Sequence, residues 1–350
     1  MVGALLFALH GSRPEAVVWA ASRFDLLATL FMLASAIFFL RAQRKNRPAL
    51  WVLSMACIAL SILSKETGYA TLIVLVLTWL RMCRPVSRCG RRMLWFGAIA
   101  AALFVYRWAV LGGIGGYVDS ATGQAEVFSL SALHMFKVFG LRLWANLFIP
   151  INWSWDLSST LSALVAVGVT GLLLLGRATI PRSRLVLSLA ITIAMALPAL
   201  SQLLIGMDLE KSRLLYAPSV GFALLVGFAA ESVPSRIRVF AVSALLLFQA
   251  GALHPNLAIW RDVSFRAERT CLDVVETLPS ITDRPIVVSG LPRSINGVYS
   301  FANSFPECVA MHSSQSPHQI KVIAEHKDLE PASTTIFIWD NDTLSLRKPE

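Results

Sequence analysis

Residues 23–47 read RFDLLATLFMLASAIFFLRAQRKNR. From Leu26 to Leu40 no side chain is charged, and then four of the next seven residues are Arg or Lys. At about 1.5 Å per residue, such a run approaches the ~30 Å of a bilayer's hydrocarbon core. The same grammar recurs along the chain. Apolar blocks fall at 24–40, 49–64, 68–82, 93–111, 160–176, 185–205, 214–230 and 236–253. Backbone groups in lipid must be satisfied within the segment, so these blocks are expected to be helices. The composition agrees: of 350 residues 56% are hydrophobic and only 15% charged, with mean hydropathy +0.63. Soluble domains carry roughly a quarter charged residues, and water does not tolerate so much exposed apolar surface.

Basic residues set the expected orientation. The linkers 41–48, 81–92, 177–184 and 231–238 hold fourteen Lys/Arg and a single acid, Glu231. The alternate connections, 10–23, 64–67, 107–159 and 206–213, hold eight Lys/Arg mixed with seven acids. Lys and Arg collect on the cytoplasmic side, so RAQRKNR and RMCRPVSRCGRR face the cytoplasm and everything after 253 emerges outside. The net charge of +10 needs no nucleic-acid partner. Residues 1–253 carry 22 Lys/Arg against 9 Asp/Glu, and 254–350 carry 9 against 12. The long external connection contains the glycine-rich LGGIGGY (111–117), which lacks the strand and GK[ST] of a phosphate loop. An interfacial helix is expected at 128–150, a ninth segment if it inserts.

The expected architecture is an all-α polytopic membrane bundle of about eight to nine helices, residues 1–253, with a small α+β extracytoplasmic domain, residues 254–350. In that tail 256–278 reads as an amphipathic helix, and PIVVSG, NGVYSF, HQIKVIAEH and TTIFIWDNDTLSL read as short strands. Asp340-Asn-Asp342 has the form of a nucleotide-sugar motif, but between two strand-like runs it reads as a hairpin turn. Cys271 and Cys308 either pair or remain thiols. No two of the six His are spaced as a metal pair, so no metal is expected. The apolar start lacks a signal peptide's basic region and cleavage site.

Ionisable residues beside apolar sequence are expensive and mark function. Three clusters lie on the expected external face: His10 to Asp25, Ser64-Lys65-Glu66-Thr67-Gly68, and Asp208 to Ser219. Each alone is explained by a helix-end ion pair. Together they suit a phosphate-bearing lipid head group, since guanidinium forks grip phosphate oxygens and a carboxylate serves as base or positioner.

The first cluster, within LLFALHGSRPEAVVWAASRFDLLATLFML, resembles the H-P-x-R-x-E-x-V-x-W-x-x-x-R-x-D-x-L segment of bacterial multi-pass proteins of the GT-C superfamily. These stand near the protein O-mannosyltransferases and their tetratricopeptide-bearing relatives. His10, Arg13, Glu15, Val17, Trp19, Arg23, Asp25 and Leu27 match. LSKETG resembles the group's KE turn through Lys65 and Glu66, and SRLLYAPSVGF its R-Y-x-Y-x-P-S-x-G element through Arg213, Tyr216, Pro218, Ser219 and Gly221. Gly11 stands where Pro is usual, Ser212 where an acid often precedes the Arg, and Leu214 where an aromatic is usual.

The resemblance implies transfer of a sugar from a polyprenyl-phosphate-linked donor to a protein or glycan acceptor outside the cell membrane, without a cofactor. By that resemblance Arg213, Arg23 and Lys65 hold the phosphate and Tyr216 and Trp19 line the sugar or lipid path. His10, Arg13 and Glu66 complete the substrate site. Glu15 and Asp25 are the catalytic carboxylates, with Glu15 the substitute base. The family opens with a helix and a loop bearing its catalytic acid, whereas here the motif begins at residue 10. A truncated or degenerate relative without that acid is the expectation. The rival readings are a non-catalytic membrane protein or gene fragment, and a lipid or solute transporter, for which no internal repeat is visible.

Overall fold

Helices dominate the computed structural model, which describes residues 1–45, 47–82, 86–112, 131–152, 180–203, 205–206, 208–277, 286–301, 305–313, 316–323, 335–340 and 345–347. Two compact units divide the chain at Asn256 and Leu257. The first opens with α1 (Val2–Leu9) and α2 (Arg13–Val18), joined by a turn, and then a 3-10 turn Ala20–Ser22. The apolar blocks follow as α3 (Arg23–Lys45), α4 (Pro48–Ser64), α5 (Ala70–Met82) and α6 (Val86–Leu111). The block at 160–176 and most of the glycine-rich loop lie outside the described residues.

Among the described residues, four helical stretches are long and apolar enough to cross a membrane: Ala20–Lys45, Arg92–Leu111, Arg182–Leu200 and Ser235–Glu276. Pro48–Ser64, Glu66–Leu80 and Pro218–Ser232 are apolar but shorter. The surface keeps large apolar side chains: Phe240 is 77% exposed, Leu247 73% and Leu94 72%.

Several boundaries differ from the sequence expectation, each for a local reason. The interfacial segment begins later, at Ala132, where Ser131 caps it by accepting from His134 N at 3.1 Å. It runs as α7 (Ala132–Phe136), a π segment Lys137–Arg142 and α8 (Leu143–Phe148). The block at 185–205 is α9 (Arg182–Ala196), which tightens to a 3-10 turn at Leu197–Gln202 where Pro198 enters. The block at 214–230 starts as a 3-10 turn, Ser212–Leu215, before α10 (Pro218–Ser232). The blocks 236–253 and 256–278 are not separate helices. They form one helix, α11 (Ser235–Thr277), with Pro255 inside it. Pro255 is exposed.

Small hydroxyls and glycines let the helices of the first unit approach. Ser35 Oγ donates to Ser54 O (2.9 Å) and Ser54 Oγ to Ser35 O (2.8 Å), tying α3 to α4. Ser61 Oγ donates to Ala28 O at 2.8 Å. Such bonds are worth about 0.6 kcal/mol each between apolar helices. Apolar layers fill the remainder, one around Phe39, Trp51, Ile58 and Phe96, another around Leu6, Leu143, Leu147, Leu215 and Phe222.

The second unit holds a four-stranded sheet in the order β4-β1-β5-β6, built from β1 (Ile286–Ser289), β4 (Ile320–Ile323), β5 (Thr335–Asp340) and β6 (Ser345–Arg347). β4, β1 and β5 are parallel, with Ile286 opposite Ile320 and Thr335; only β6 is antiparallel. The sheet is thus more α/β than the expected α+β. Thirty residues lie between β1 and β4, including α12 (Phe305–His312), enough chain for a crossover. As the central parallel strand, β1 is buried at all four residues. β5 and β6 pair as the hairpin expected around Asp340, whose turn residues lie outside the described set. NGVYSF contributes a turn as well as a strand: Asn296 (φ 50°) and Gly297 (φ 76°) join β2 (Ser294–Ile295) to β3 (Val298–Tyr299), the two-residue Asn-Gly connection that hairpins favour. Cys271 of α11 and Cys308 of α12 form a disulfide, while Cys57 is a buried thiol.

A close helix crossing in the first unit predicts a weak point. A Cβ at Gly221 of α10 would stand 2.8 Å from Thr192 Cα and press on the Thr192 backbone N of α9. Gly221→Ala is expected to cost about 1–3 kcal/mol through overpacking, read as a lower unfolding midpoint in detergent.

Candidate functional site

The three charged clusters, up to two hundred residues apart, meet within the first unit. Their side chains are held chiefly by one another. Glu15 on α2 has no exposed surface. Its Oε1 accepts from Arg213 Nη1, and its Oε2 accepts from Arg213 N (3.2 Å) and Ser212 Oγ (3.1 Å). The guanidinium of Arg213 also lies 4.5 Å from the centre of the Trp19 ring. At the start of α3, both Asp25 oxygens accept from Lys65 Nζ at 2.7 Å. Glu66, in the 3-10 turn Glu66–Tyr69, accepts from Arg107 Nη2 at 3.0 Å, half-buried.

Local backbone explains why these groups arrive. Lys65 is an extended residue after α4 (φ −162°, ψ 155°), which ends the helix and turns the ammonium toward α3. Leu209 (φ 57°) and Lys211 (φ 70°) are left-handed non-glycine residues just before Arg213. Strain of this kind costs about 1–3 kcal/mol per residue and persists only where surrounding contacts impose it. Here Leu209 is buried and Lys211 Nζ donates to Gln202 Oε1 at 2.5 Å.

Arg13 is placed differently. It is 5% exposed, and its guanidinium is stacked between the rings of Phe7 (4.2 Å) and Tyr216 (4.5 Å). Nε donates to Phe7 O (2.7 Å) and Nη2 to Ser219 Oγ (2.8 Å). Nη1 is buried without a hydrogen-bond partner, and no described carboxylate forms an ion pair with Arg13.

His10 does not face an anion. Nε2 donates to Leu147 O at 2.9 Å, and Nδ1 therefore accepts from Ser12 Oγ at 2.9 Å. Burial, with the Arg13 charge beside it, pulls this imidazole down to about 3, so it is neutral at physiological pH. Burial lowers Arg13 to about 10, still cationic. Burial pushes the Glu15 carboxyl up to about 7, while Arg213 and the hydroxyl of Ser212 pull it the other way.

Of the residues read from the sequence, the fold brings Glu15, Trp19 and Arg213 into one group. Asp25 and Lys65 form a second, Glu66 a third with Arg107, and Arg13 and Tyr216 a fourth. Arg23 stands apart, exposed and paired with no described residue. Glu15 does not suit the role of base, because both its oxygens are occupied and no surface reaches an acceptor.

The sequence reading missed several partners. Arg107 closes the apolar run of α6 and was visible as a charge in the wrong place. Gln249, Asn256 and Phe7 carried no such signal. Gln249 Oε1 accepts from Gly11 N (3.1 Å), and Asn256 Nδ2 donates to Gly11 O and Pro150 O, both at 2.7 Å. Both backbone polar groups of Gly11 are thus held by one face of α11. The glycine that stands where Pro is usual in the resembled family supplies an N–H that Pro lacks.

Compared with family models, with curated proteins and with solved structures, the chain shows no significant match in any of the three.

Two substitutions test this wiring. Glu15→Ala should cost about 3–5 kcal/mol, because it strands a buried guanidinium. Glu15→Ala with Arg213→Ala should cost less than the two single changes added, by about 1–3 kcal/mol in a denaturation cycle. Gly11→Pro should abolish the Gln249 bond and drive a side chain into Pro150, whose O lies 2.6 Å from a Cβ there. Its unfolding midpoint should fall by more than that of Gly11→Ala.

Proposed function

We propose that the chain is a multi-pass cell-membrane protein that handles a polyprenyl-phosphate-linked sugar at its extracytoplasmic face and transfers that sugar to a protein or glycan acceptor. The single observation that carries this reading is the convergence of the three charged segments into one end of an apolar helical unit. Buried ionisable groups among apolar helices are retained for function. Arg213 and Lys65 are the cations assigned to the donor phosphate, where positive charge stabilises the leaving group as the sugar departs. Glu15 and Asp25 are positioning residues that hold Arg213 and Lys65 in place. The group that deprotonates the acceptor is not assigned. Trp19 and Tyr216, stacked on Arg213 and Arg13, line the path of sugar or lipid.

The basic linkers support a topology in which the apolar blocks span the membrane eight or nine times and residues 257–350 lie outside. The Cys271–Cys308 disulfide supports an oxidising compartment for that unit. Its 37-residue separation corresponds to about 4 kcal/mol of loop entropy removed from the unfolded chain.

One observation favours a second reading, a non-catalytic membrane protein. Glu15 neutralises Arg213 and Asp25 neutralises Lys65, so both pairs are complete as structural ties. A transfer assay separates the readings. Membranes holding the protein are supplied with radiolabelled polyprenyl-phosphate mannose and an acceptor extract. On the enzyme reading, wild type transfers label, and Arg213→Gln and Lys65→Gln lower the rate by about 10²–10³-fold while eluting normally in detergent. No transfer by wild type over vector membranes overturns the enzyme reading and leaves the structural one.

A further inference from the structure

Where α5 ends, α9 begins, and a groove of about 500 Å³ opens between them. It is lined by Leu77 and Leu80 of α5 and by Arg182, Val186, Leu187 and Ala190 of α9, among others. Its floor is apolar and packed: Leu77 and Leu187 lie against the buried cluster that holds Val74, Ile191 and Met195. Its rim is open, with Leu80 64% and Val186 55% exposed. Along α9 it runs from Arg182 to Ala190, eight residues on. At 1.5 Å per residue that is about 12 Å, which stays within one leaflet of a ~30 Å hydrocarbon core.

A cation belongs to the lining itself. Arg182 is exposed and forms no ion pair with a described residue, whereas Arg184, two residues on, is paired with Glu231 at 3.0 Å. The sequence offers Arg182 no acid close by. No Asp or Glu occurs from 67 to 118 or from 157 to 207, the stretches that supply the two walls. Arg81 directly follows Leu80 in the sequence, so the α5 wall also ends on a basic residue. By the charge of its linkers this is the cytoplasmic end of both helices, where the leaflet carries anionic lipid. An apolar slot within one leaflet, with an open guanidinium at its mouth, matches a lipid with an acyl chain and a negative head group. The chain covers the apolar walls and the guanidinium takes the phosphate oxygens. A zwitterionic head group brings its own cation and gains less from Arg182.

We propose that this groove binds an anionic phospholipid of the cytoplasmic leaflet, with the upper part of an acyl chain between α5 and α9 and the phosphate on Arg182. The proposal rests on the membrane reading above and is independent of the transfer chemistry.

Lipid titration of the delipidated full chain, read by native mass spectrometry in detergent, tests it. The probes are phosphatidylglycerol and phosphatidylcholine with identical acyl chains. Wild type is expected to bind one phosphatidylglycerol about fivefold more tightly than phosphatidylcholine, the worth of about one basic residue at a membrane surface. Arg182→Gln should erase that preference, and Arg236→Gln, which removes an exposed cation outside the lining, should keep it. Val186→Trp, an exposed change that fills the groove and leaves Arg182 in place, should weaken both lipids. Equal binding of the two lipids by wild type overturns the proposal, as does a preference that survives Arg182→Gln or is lost equally in Arg236→Gln. Undiminished binding in Val186→Trp overturns it as well. Val186→Cys combined with Val167→Cys that cross-links within one chain assigns the groove to the apolar block 160–176, and Val186→Cys that cross-links two copies in membranes assigns it to a dimer; either overturns the lipid. Membrane fractionation is run first. A chain recovered in the soluble fraction overturns the membrane reading itself, whereas a membrane-bound chain with no anionic preference overturns only the groove assignment.

Discussion

A carboxylate with no exposed surface cannot stay charged among apolar helices unless donors surround it, and Glu15 is so surrounded by Arg213 and Ser212. Removing water from such an ion costs several kcal/mol, recovered only when the geometry is good and the remaining lone pairs are used. That requirement joins α2, near the start of the chain, to the turn before α10, almost two hundred residues later. Once those two segments are tied, the strained backbone of Leu209 and Lys211 has a reason to persist. Arg13 and Tyr216 are then left facing each other one turn away.

A second tie fixes the same region from the other side. Gly11 has its N–H and C=O held by Gln249 and Asn256, and Asn256 also accepts from Asn152 N at 2.8 Å. The turn between α1 and α2 is therefore clamped between α11 and the segment after α8. Side-chain amides of this kind do in a nearly dry interior what water does at a surface, satisfying backbone groups that no helix can reach. The clamp and the Glu15 pair together hold the segment 10–25, from which most of the candidate site is drawn. Neither depends on the exposed Arg23.

The helices were largely legible because an apolar run bounded by basic residues leaves the backbone one way to satisfy itself. α3, α4, α5 and α6 fall on the blocks read from hydropathy to within a few residues at most boundaries. Boundaries moved where a local effect outweighed hydropathy. α9 tightens to a 3-10 turn where Pro198 enters, whereas α11 runs on through the exposed Pro255. The tail's strands were legible as alternating or β-branched runs, but their parallel pairing was not, since pairing depends on where the crossover chain goes.

Of the candidate site, the sequence by itself determined which charges are costly: His10, Arg13, Glu15, Asp25, Lys65, Glu66 and Arg213 all stand out against apolar neighbours. It carried no information on partners, because an ion pair needs two side chains within about 4 Å and linear spacing does not encode that distance. Only the tertiary structure decided that Glu15 takes Arg213, that Asp25 takes Lys65 and that Arg107 completes Glu66. It also decided that Arg13, alike in sequence to the others, remains buried between two rings with an unused donor. The physical reason is common to all of them: the cost of burying a charge is written in composition, but its compensation is written in packing.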